Sequence, residues 1–218
     1  MAMKPQIEIA ATYMRGGSSK GVFFNTHSVL PGLFEDDLRR DRLLLRVLGS
    51  PDRYAKQTDG MGGATSSTSK VVLVGRSSRA DCDLDYLFGA VSIDQPVIDW
   101  SGNCGNLSAA VGPFGIAQGL VEAPRDGMAT VRIWQANIGK RIIAHVPMHD
   151  GEVVETGDFE LDGVAFPGAA IRLEFLEPAG EAGEAADAAG ALFPTGQLSE
   201  VLDVPGFPPV EVSLLNAG

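Results

Sequence analysis

The chain is poor in the residues that build disulfide frameworks, metal centres and aromatic stacking surfaces. Its 218 residues include two cysteines and three histidines, and aromatics make up 7%. Cys82 and Cys104 do not form a C-x-x-C pair, and two cysteines cannot staple a small scaffold. No His, Cys, Asp or Glu cluster has metal-ligand spacing, so no metal site is expected. Positive charge is also short: 17 Lys and Arg face 28 Asp and Glu, a formal net charge of −11. That balance argues against broad nucleic-acid binding, which needs a basic face. It leaves room for an anionic ligand, because a few basic groups can form a local positive site within an acidic surface. No apolar run reaches membrane-spanning length without glycine, proline or charge, and no signal peptide precedes the first strand pattern. The expectation is a cytoplasmic protein with neither a membrane nor a nucleic-acid partner. What is present suits a globular enzyme: 44% hydrophobic residues, 27 glycines, and enough length for a sizeable core.

Residues 100–120, W-S-G-N-C-G-N-L-S-A-A-V-G-P-F-G-I-A-Q-G-L, organise the rest. A polar, glycine-rich turn at 101–106 gives way to small apolar residues. A helix starting near Cys104 would be apolar almost all round and would belong in a core. Its first turn would present free backbone N–H groups and the positive end of the helix dipole, for which carboxylates are natural ligands. Read locally, the stretch also fits a buried loop before an ordinary core helix, with Cys104 a small apolar filler.

Two other stretches stand out. Residues 7–13 alternate as a half-buried strand and lead into Met14-Arg15-Gly16-Gly17-Ser18-Ser19-Lys20-Gly21. The glycines let backbone approach a ligand, and Arg15 and Lys20 bring charge. P-loop spacing is absent, and taken alone the segment reads first as a hairpin turn into a strand at 21–24. Residues 57–70, Q-T-D-G-M-G-G-A-T-S-S-T-S-K, run into the apolar strand 71–74 and set Lys70 at the mouth of a core strand. A lysine there is costly unless paired or used, and the hydroxyl residues before it favour use over snorkelling.

The remaining pattern predicts an amphipathic helix over 33–48, stopped by Gly49 and Pro51. Further strands are expected at 86–93, 97–100, 128–134, 141–146, 170–176 and 210–215, with a turn at 137–139. Asp162-Gly163 reads as a type I′ hairpin turn. Cys82, between two aspartates, reads as a surface thiol, and His145 as structural. Residues 178–191 read as a loop or weak helix and 193–209 as irregular. The fold class is α+β, a mostly antiparallel mixed sheet curled around a central apolar helix.

On R-G-G-S-S-K-G at 15–21, D-G-M-G-G-A-T-S-S-T-S-K at 59–70 and D-W-S-G-N-C-G-N at 99–106, the chain resembles the PrpF family. These are 2-methylaconitate cis–trans isomerases, akin to methylitaconate isomerases and 4-oxalomesaconate tautomerases. The resemblance implies a diaminopimelate-epimerase-like fold, in which two similar domains each wrap a sheet around a helix and flank the active site. The family is nearly twice as long. Residues 1–176 would be its N-terminal domain, and 177–218 an irregular segment crossing towards a second domain that this sequence lacks. A homodimer or a separate C-terminal half would complete the cleft. The implied chemistry uses no cofactor. A proton is removed allylic to carboxylates, a dienolate-like anion is stabilised, and a proton is returned after bond rotation or double-bond shift. The implied setting is the methylcitrate cycle of propionate catabolism. By the same resemblance Lys70 moves the proton, and Cys104 faces it as second acid/base or positioning group. Asn103, Gly105 and Asn106 would hold a substrate carboxylate. Arg15, Gly17, Ser18, Ser19, Lys20, Ser66, Ser67 and Thr68 would orient the rest of the tricarboxylate. The alternative outside enzymes is a silent domain that binds anions or pairs with a second copy.

Overall fold

The computed structural model describes residues 8–28, 36–176 and 192–216. They fall into two compact units, Met1–Glu174 and Phe175–Gly218.

The first unit opens with a hairpin of β1 (Thr12–Gly16) and β2 (Ser19–Asn25), closed by the two-residue turn Gly17-Ser18. Gly17 has φ 53°, which a glycine adopts without penalty. Helix α1 (Asp37–Leu48) follows. The Asp36 side chain caps it by accepting from Arg39 N–H at 3.1 Å, and Gly49 ends it at φ 77°. Then come β3 (Lys70–Arg76), β4 (Leu84–Val91), β5 (Ile98–Asp99) and helix α2 (Gly105–Ala117). After α2 the chain continues through β6 (Gly127–Gln135), β7 (Lys140–His149), β8 (Glu152–Val153) and β9 (Arg172–Phe175). Among the described residues these strands form one sheet in the order β1-β2-β3-β4-β6-β7-β8, with β5 on β4 and β9 on β7. The β2–β3 and β4–β6 pairs are parallel; β1–β2, β3–β4, β4–β5, β6–β7 and β7–β8 are antiparallel.

The sheet wraps around α2, because β1 and β8, at opposite ends of the strand path, both touch the helix. Small residues permit this closeness. A Cβ on Gly115 would stand 2.4 Å from Leu84 Cδ1, and one on Gly112 would stand 3.0 Å from Val146 Cγ2. At Gly115 an added methyl would force the leucine to shift, and at Gly112 it would be tight against the valine. The inner layer joins Leu107, Val111 and Phe114 of α2 to Phe23, Val72, Tyr86, Ile133 and Ala144 of the sheet. The outer layer packs Leu44, Leu45 and Leu48 of α1 on Val22, Phe24, Val71 and Leu73. Strand β3 is therefore apolar on both faces, as its unbroken Val71-Val72-Leu73-Val74 run requires. The fold is the α+β arrangement expected, a mixed and mostly antiparallel sheet around a central apolar helix.

Several local expectations are corrected. Cys82 is buried, 6% exposed, rather than a surface thiol. Its loop is tied to β6, Asp83 N–H donating to Arg132 O at 2.7 Å, and burial pushes the thiol's pKa up. Residues 8–11 precede the first strand, which starts at Thr12. Asp162-Gly163 is a tight turn, Val164 N–H donating to Leu161 O at 3.0 Å, but only Gly163 takes positive φ, so it is not type I′. The reading of 178–191 lies outside the described residues. In the second unit β10 (Glu200–Leu202) and β11 (Val210–Val212) pair antiparallel, so part of the stretch read as irregular is strand.

Candidate active site

Three glycine-rich stretches meet at the N-terminus of α2. The β1–β2 hairpin lies against the first helical turn: a Cβ on Gly16 would stand 2.6 Å from Asn106 O, and one on Gly17 2.3 Å from Asn106 Oδ1. Ser18 N–H donates to that Oδ1 at 3.4 Å. The hairpin is joined to the 57–69 loop where Lys20 N–H donates to Ser67 O at 3.0 Å.

The loop itself is held by Gln57, which is 1% exposed. Its Nε2 donates to Ser50 Oγ at 2.8 Å and to Ser69 Oγ at 2.7 Å, and its Oε1 accepts from Ala64 N–H at 2.9 Å. The Asp52 carboxylate accepts from the N–H groups of Tyr54, Lys56 and Gln57. These bonds, that from Tyr54 foremost, hold its carboxyl below the usual range. Ser69 Oγ donates to Val91 O at 2.8 Å, so the residue before Lys70 is locked to β4.

Lys70 begins β3 on the inner face, beside Ser19 of β2. Its Nζ donates to Ser19 Oγ at 3.2 Å and to Cys104 Sγ at 3.1 Å, and stands 5.5 Å from the centre of the Phe88 ring. Cys104 is the N-cap of α2, 8% exposed, and makes no side-chain cap bond. The first N–H groups of α2 thus receive no cap from it. Behind the thiol sits Tyr86, fully buried, whose phenol is pushed up by burial and by the neighbouring Cys104.

The turn into α2 is set from both sides. Asp99 accepts from Ser101 Oγ at 2.7 Å and Ser101 N–H at 2.8 Å, which holds its carboxyl below the usual range. Ser108 Oγ donates to Cys104 O at 3.0 Å and lies 3.4 Å from Asn103 Oδ1. The Trp100 ring packs over Gly89; its Nε1 donates to Asp41 at 3.3 Å, and the Arg40 guanidinium lies 4.3 Å from the ring centre.

Lys70, Cys104 and Ser19 are therefore in direct contact. Ser18 joins Asn106 through its N–H and the asparagine side chain, and Lys20 joins Ser67 through backbone groups; Gly105 and Asn106 open the helix. Arg15 Nη1 braces its own hairpin by donating to Gly17 O at 2.7 Å, and Lys20 Nζ lies 5.2 Å over the Tyr13 ring. The hydroxyls of Ser67 and Thr68 bond Thr65 Oγ1 at 3.0 and 2.8 Å, and Ser66 is exposed. Phe88, Gln57 and Asn137 were not singled out from the sequence. Gln57 opens the glycine-rich stretch and Asn137 looks like any turn asparagine, so neither advertises its long-range bonds. Among the described residues no group of three His, Cys, Asp or Glu could hold a metal ion, and no helix is long and apolar enough to cross a membrane.

An amine and a thiol in contact can pass a proton, and a helix N-terminus beside them can take a carboxylate. What the fold and the site define is a half-barrel domain that brings an amine and a thiol together at the N-terminus of its central helix. The chain belongs to the PrpF family, whose model, described as PrpF protein, matches residues 6–218. It is 61% identical over 218 residues to the 2-methyl-aconitate isomerase of Shewanella oneidensis, covering 98% of this chain and 54% of that one. It is 59% identical over 221 residues to the protein of the same name from Cupriavidus necator, covering 100% and 55%. The 4-oxalomesaconate tautomerase of Pseudomonas putida is 43% identical, over 98% and 54%. The crystal structure of methylitaconate-delta-isomerase superposes with a TM-score of 0.81 at 38% identity, covering 95% of this chain and 50% of that one. The chain spans about half the length of these relatives.

Proposed function

We propose that this chain supplies the proton-transferring side of a cofactor-independent isomerase of unsaturated tricarboxylates, with 2-methylaconitate cis–trans isomerisation as the reaction. The observation that carries the reading is the contact of Lys70 Nζ with Cys104 Sγ at 3.1 Å, in front of an uncapped helix N-terminus. A substrate carboxylate seats on the N–H groups of Gly105 and Asn106, with the Asn103 amide beside them. The Lys70 amine takes a proton from the allylic carbon. The C–H electron pair spreads into a dienolate-like anion whose charge the helix end stabilises. The former double bond, now of reduced order, rotates, and a proton returns to carbon from the Lys70 ammonium or the Cys104 thiol. No atom is gained or lost. 2-Methylaconitate is favoured over 4-oxalomesaconate because the relatives named for it are 61% and 59% identical, against 43%.

Proton NMR of 2-methylaconitate in D₂O tests this, with methylitaconate and 4-oxalomesaconate as comparison substrates. The expected result is isomer interconversion with deuterium uptake, reduced by ~10²-fold or more in Lys70→Ala, the scale of a lost general base. Folded protein that neither isomerises nor exchanges any of the three acids would refute the reading.

A further inference from the structure

We propose that Asn137 is a positioning residue that sets the Lys70–Cys104 pair by clamping the two chain segments flanking it. The proposal rests on the function argued above. Asn137 lies in the turn between β6 and β7. Strand β6 pairs with β4 only as far as Gln135 opposite Tyr86, and Ala136 N–H adds one bond to Tyr86 O at 2.8 Å. From there the Asn137 carboxamide acts as one more residue of strand. Its Oδ1 accepts from Phe88 N–H at 2.8 Å and its Nδ2 donates to Phe88 O at 2.8 Å. The same Nδ2 donates to Trp100 O at 2.5 Å, and Gln135 Nε2, on a fully buried side chain, donates to Oδ1 at 2.5 Å. Two donors and two lone pairs are all the group has, and all four are used.

The bonds to Phe88 and Trp100 fix the segments that flank the amine–thiol pair, and the bond from Gln135 orients the carboxamide itself. Clamping the Phe88 backbone fixes the ring that stands 5.5 Å from Lys70 Nζ. Clamping Trp100 O fixes the start of the turn that delivers Cys104. The Trp100 ring is held separately by Asp41 and Arg40, so the carbonyl and the ring have different partners. Asn137 touches neither Lys70 nor Cys104, yet one planar carboxamide sets the spacing between the segment behind the amine and the segment carrying the thiol. A turn alone asks for less: serine or aspartate would make it, but neither has two N–H donors for two different carbonyls.

The test is Asn137→Ala beside Asn137→Asp, which keeps the size and loses both donors. Steady-state turnover of 2-methylaconitate and amide hydrogen exchange are measured on the same preparations. The expected result is a fall in kcat of ~10-fold or more, the scale of a small misplacement of reacting groups, with KM within about twofold because no substrate contact is removed. Exchange should rise at Phe88 and across 100–107 while the β7 core stays protected. Unchanged kcat in folded variants overturns the proposal. So does a loss of activity that only tracks the folded fraction, or a failure of both variants to fold, since Asn137 would then be structural alone. If the wild-type protein turns over none of the three acids, the functional reading fails by itself. The exchange pattern then decides the clamp: local loss of protection supports it, and no change or global loss overturns it.

Discussion

The closeness of the β1–β2 hairpin to α2 makes Gly16→Ala an informative perturbation. Gly16 has no positive φ, so an added methyl meets no backbone penalty there, only crowding. The methyl would stand 2.6 Å from Asn106 O and 2.9 Å from Leu107 Cα, both main-chain atoms of the first helical turn. Neither can rotate aside, so hairpin and helix must separate by some tenths of an ångström. Overpacking of this kind costs about 1–3 kcal/mol. At about 2–4 °C per kcal/mol for a chain of this size, the melting temperature should fall by about 2–12 °C. Ser19 moves with the hairpin, so its hydroxyl withdraws from Lys70 Nζ and deuterium exchange into substrate should slow as well. Gly102→Ala is the control: nothing lies within 4 Å of its added methyl and its φ is not positive. There the smaller conformational freedom of the unfolded chain should leave stability unchanged or raised by up to about 1 kcal/mol. Thermal melts followed by circular dichroism compare the two. If Gly16→Ala melts with the wild type, or Gly102→Ala loses as much, the argument from backbone contact is wrong.

Tyr86 is fully buried, so Tyr86→Phe, which removes only the hydroxyl, should change stability by no more than about 1.5 kcal/mol, whereas Tyr86→Ala should lose about 3–5 kcal/mol of core; urea unfolding reads both. Gln57→Ala leaves buried Ser69 and the 57–69 loop without their bridging amide and should cost about 1–3 kcal/mol, seen as a lower urea midpoint and faster proteolysis within the loop. Burial raises the Asp83 carboxyl, but the side-chain and backbone bonds from Arg132, with Nη2 at 2.6 Å and N–H at 2.8 Å, outweigh it and hold the carboxyl below its ordinary value. The unfolded chain then binds that proton more readily, so the pair's stabilisation is present above about pH 4, the ordinary aspartate range, and is lost as pH falls through the folded-state value. Asp83→Asn should accordingly be less stable than wild type at pH 7, with the gap closing in acid; a gap independent of pH would remove the pair as its cause.

How much of this was legible in the sequence depends on the distance over which each feature is decided. Lys70 at a strand mouth could be read because the apolar run 71–74 begins at the next residue, and alternation then puts Lys70 on the face of Val72. The start of α2 could be read because polar residues give way to small apolar ones at Cys104. Burial of Cys82 could not, since it depends on a loop held to β6 through Arg132, 49 positions from Asp83, and not on its aspartate neighbours. Nor could Asn137, whose partners Phe88 and Trp100 lie 49 and 37 positions away. Two of the four Asp-Gly pairs show the limit most directly. Asp150-Gly151 takes positive φ at both residues, 52° and 86°, and closes β7 onto β8 with His149 opposite Glu152. That is the type I′ hairpin turn. Asp162-Gly163 has the same dipeptide, yet only the glycine is left-handed, and the flanking chain makes a single bridge, Phe159 to Gly168. The dipeptide permits the turn in both places; the twist of paired strands selects it in one. The amine–thiol contact follows the same logic. Lysine and cysteine each tolerate many settings, and what brings Nζ to Sγ is the closure of a sheet around a helix small enough to enclose. On the function proposed above, the contact should therefore respond to changes at Gly16 and Asn137 as well as at Lys70, though through kcat and local exchange and not through the loss of the proposed base.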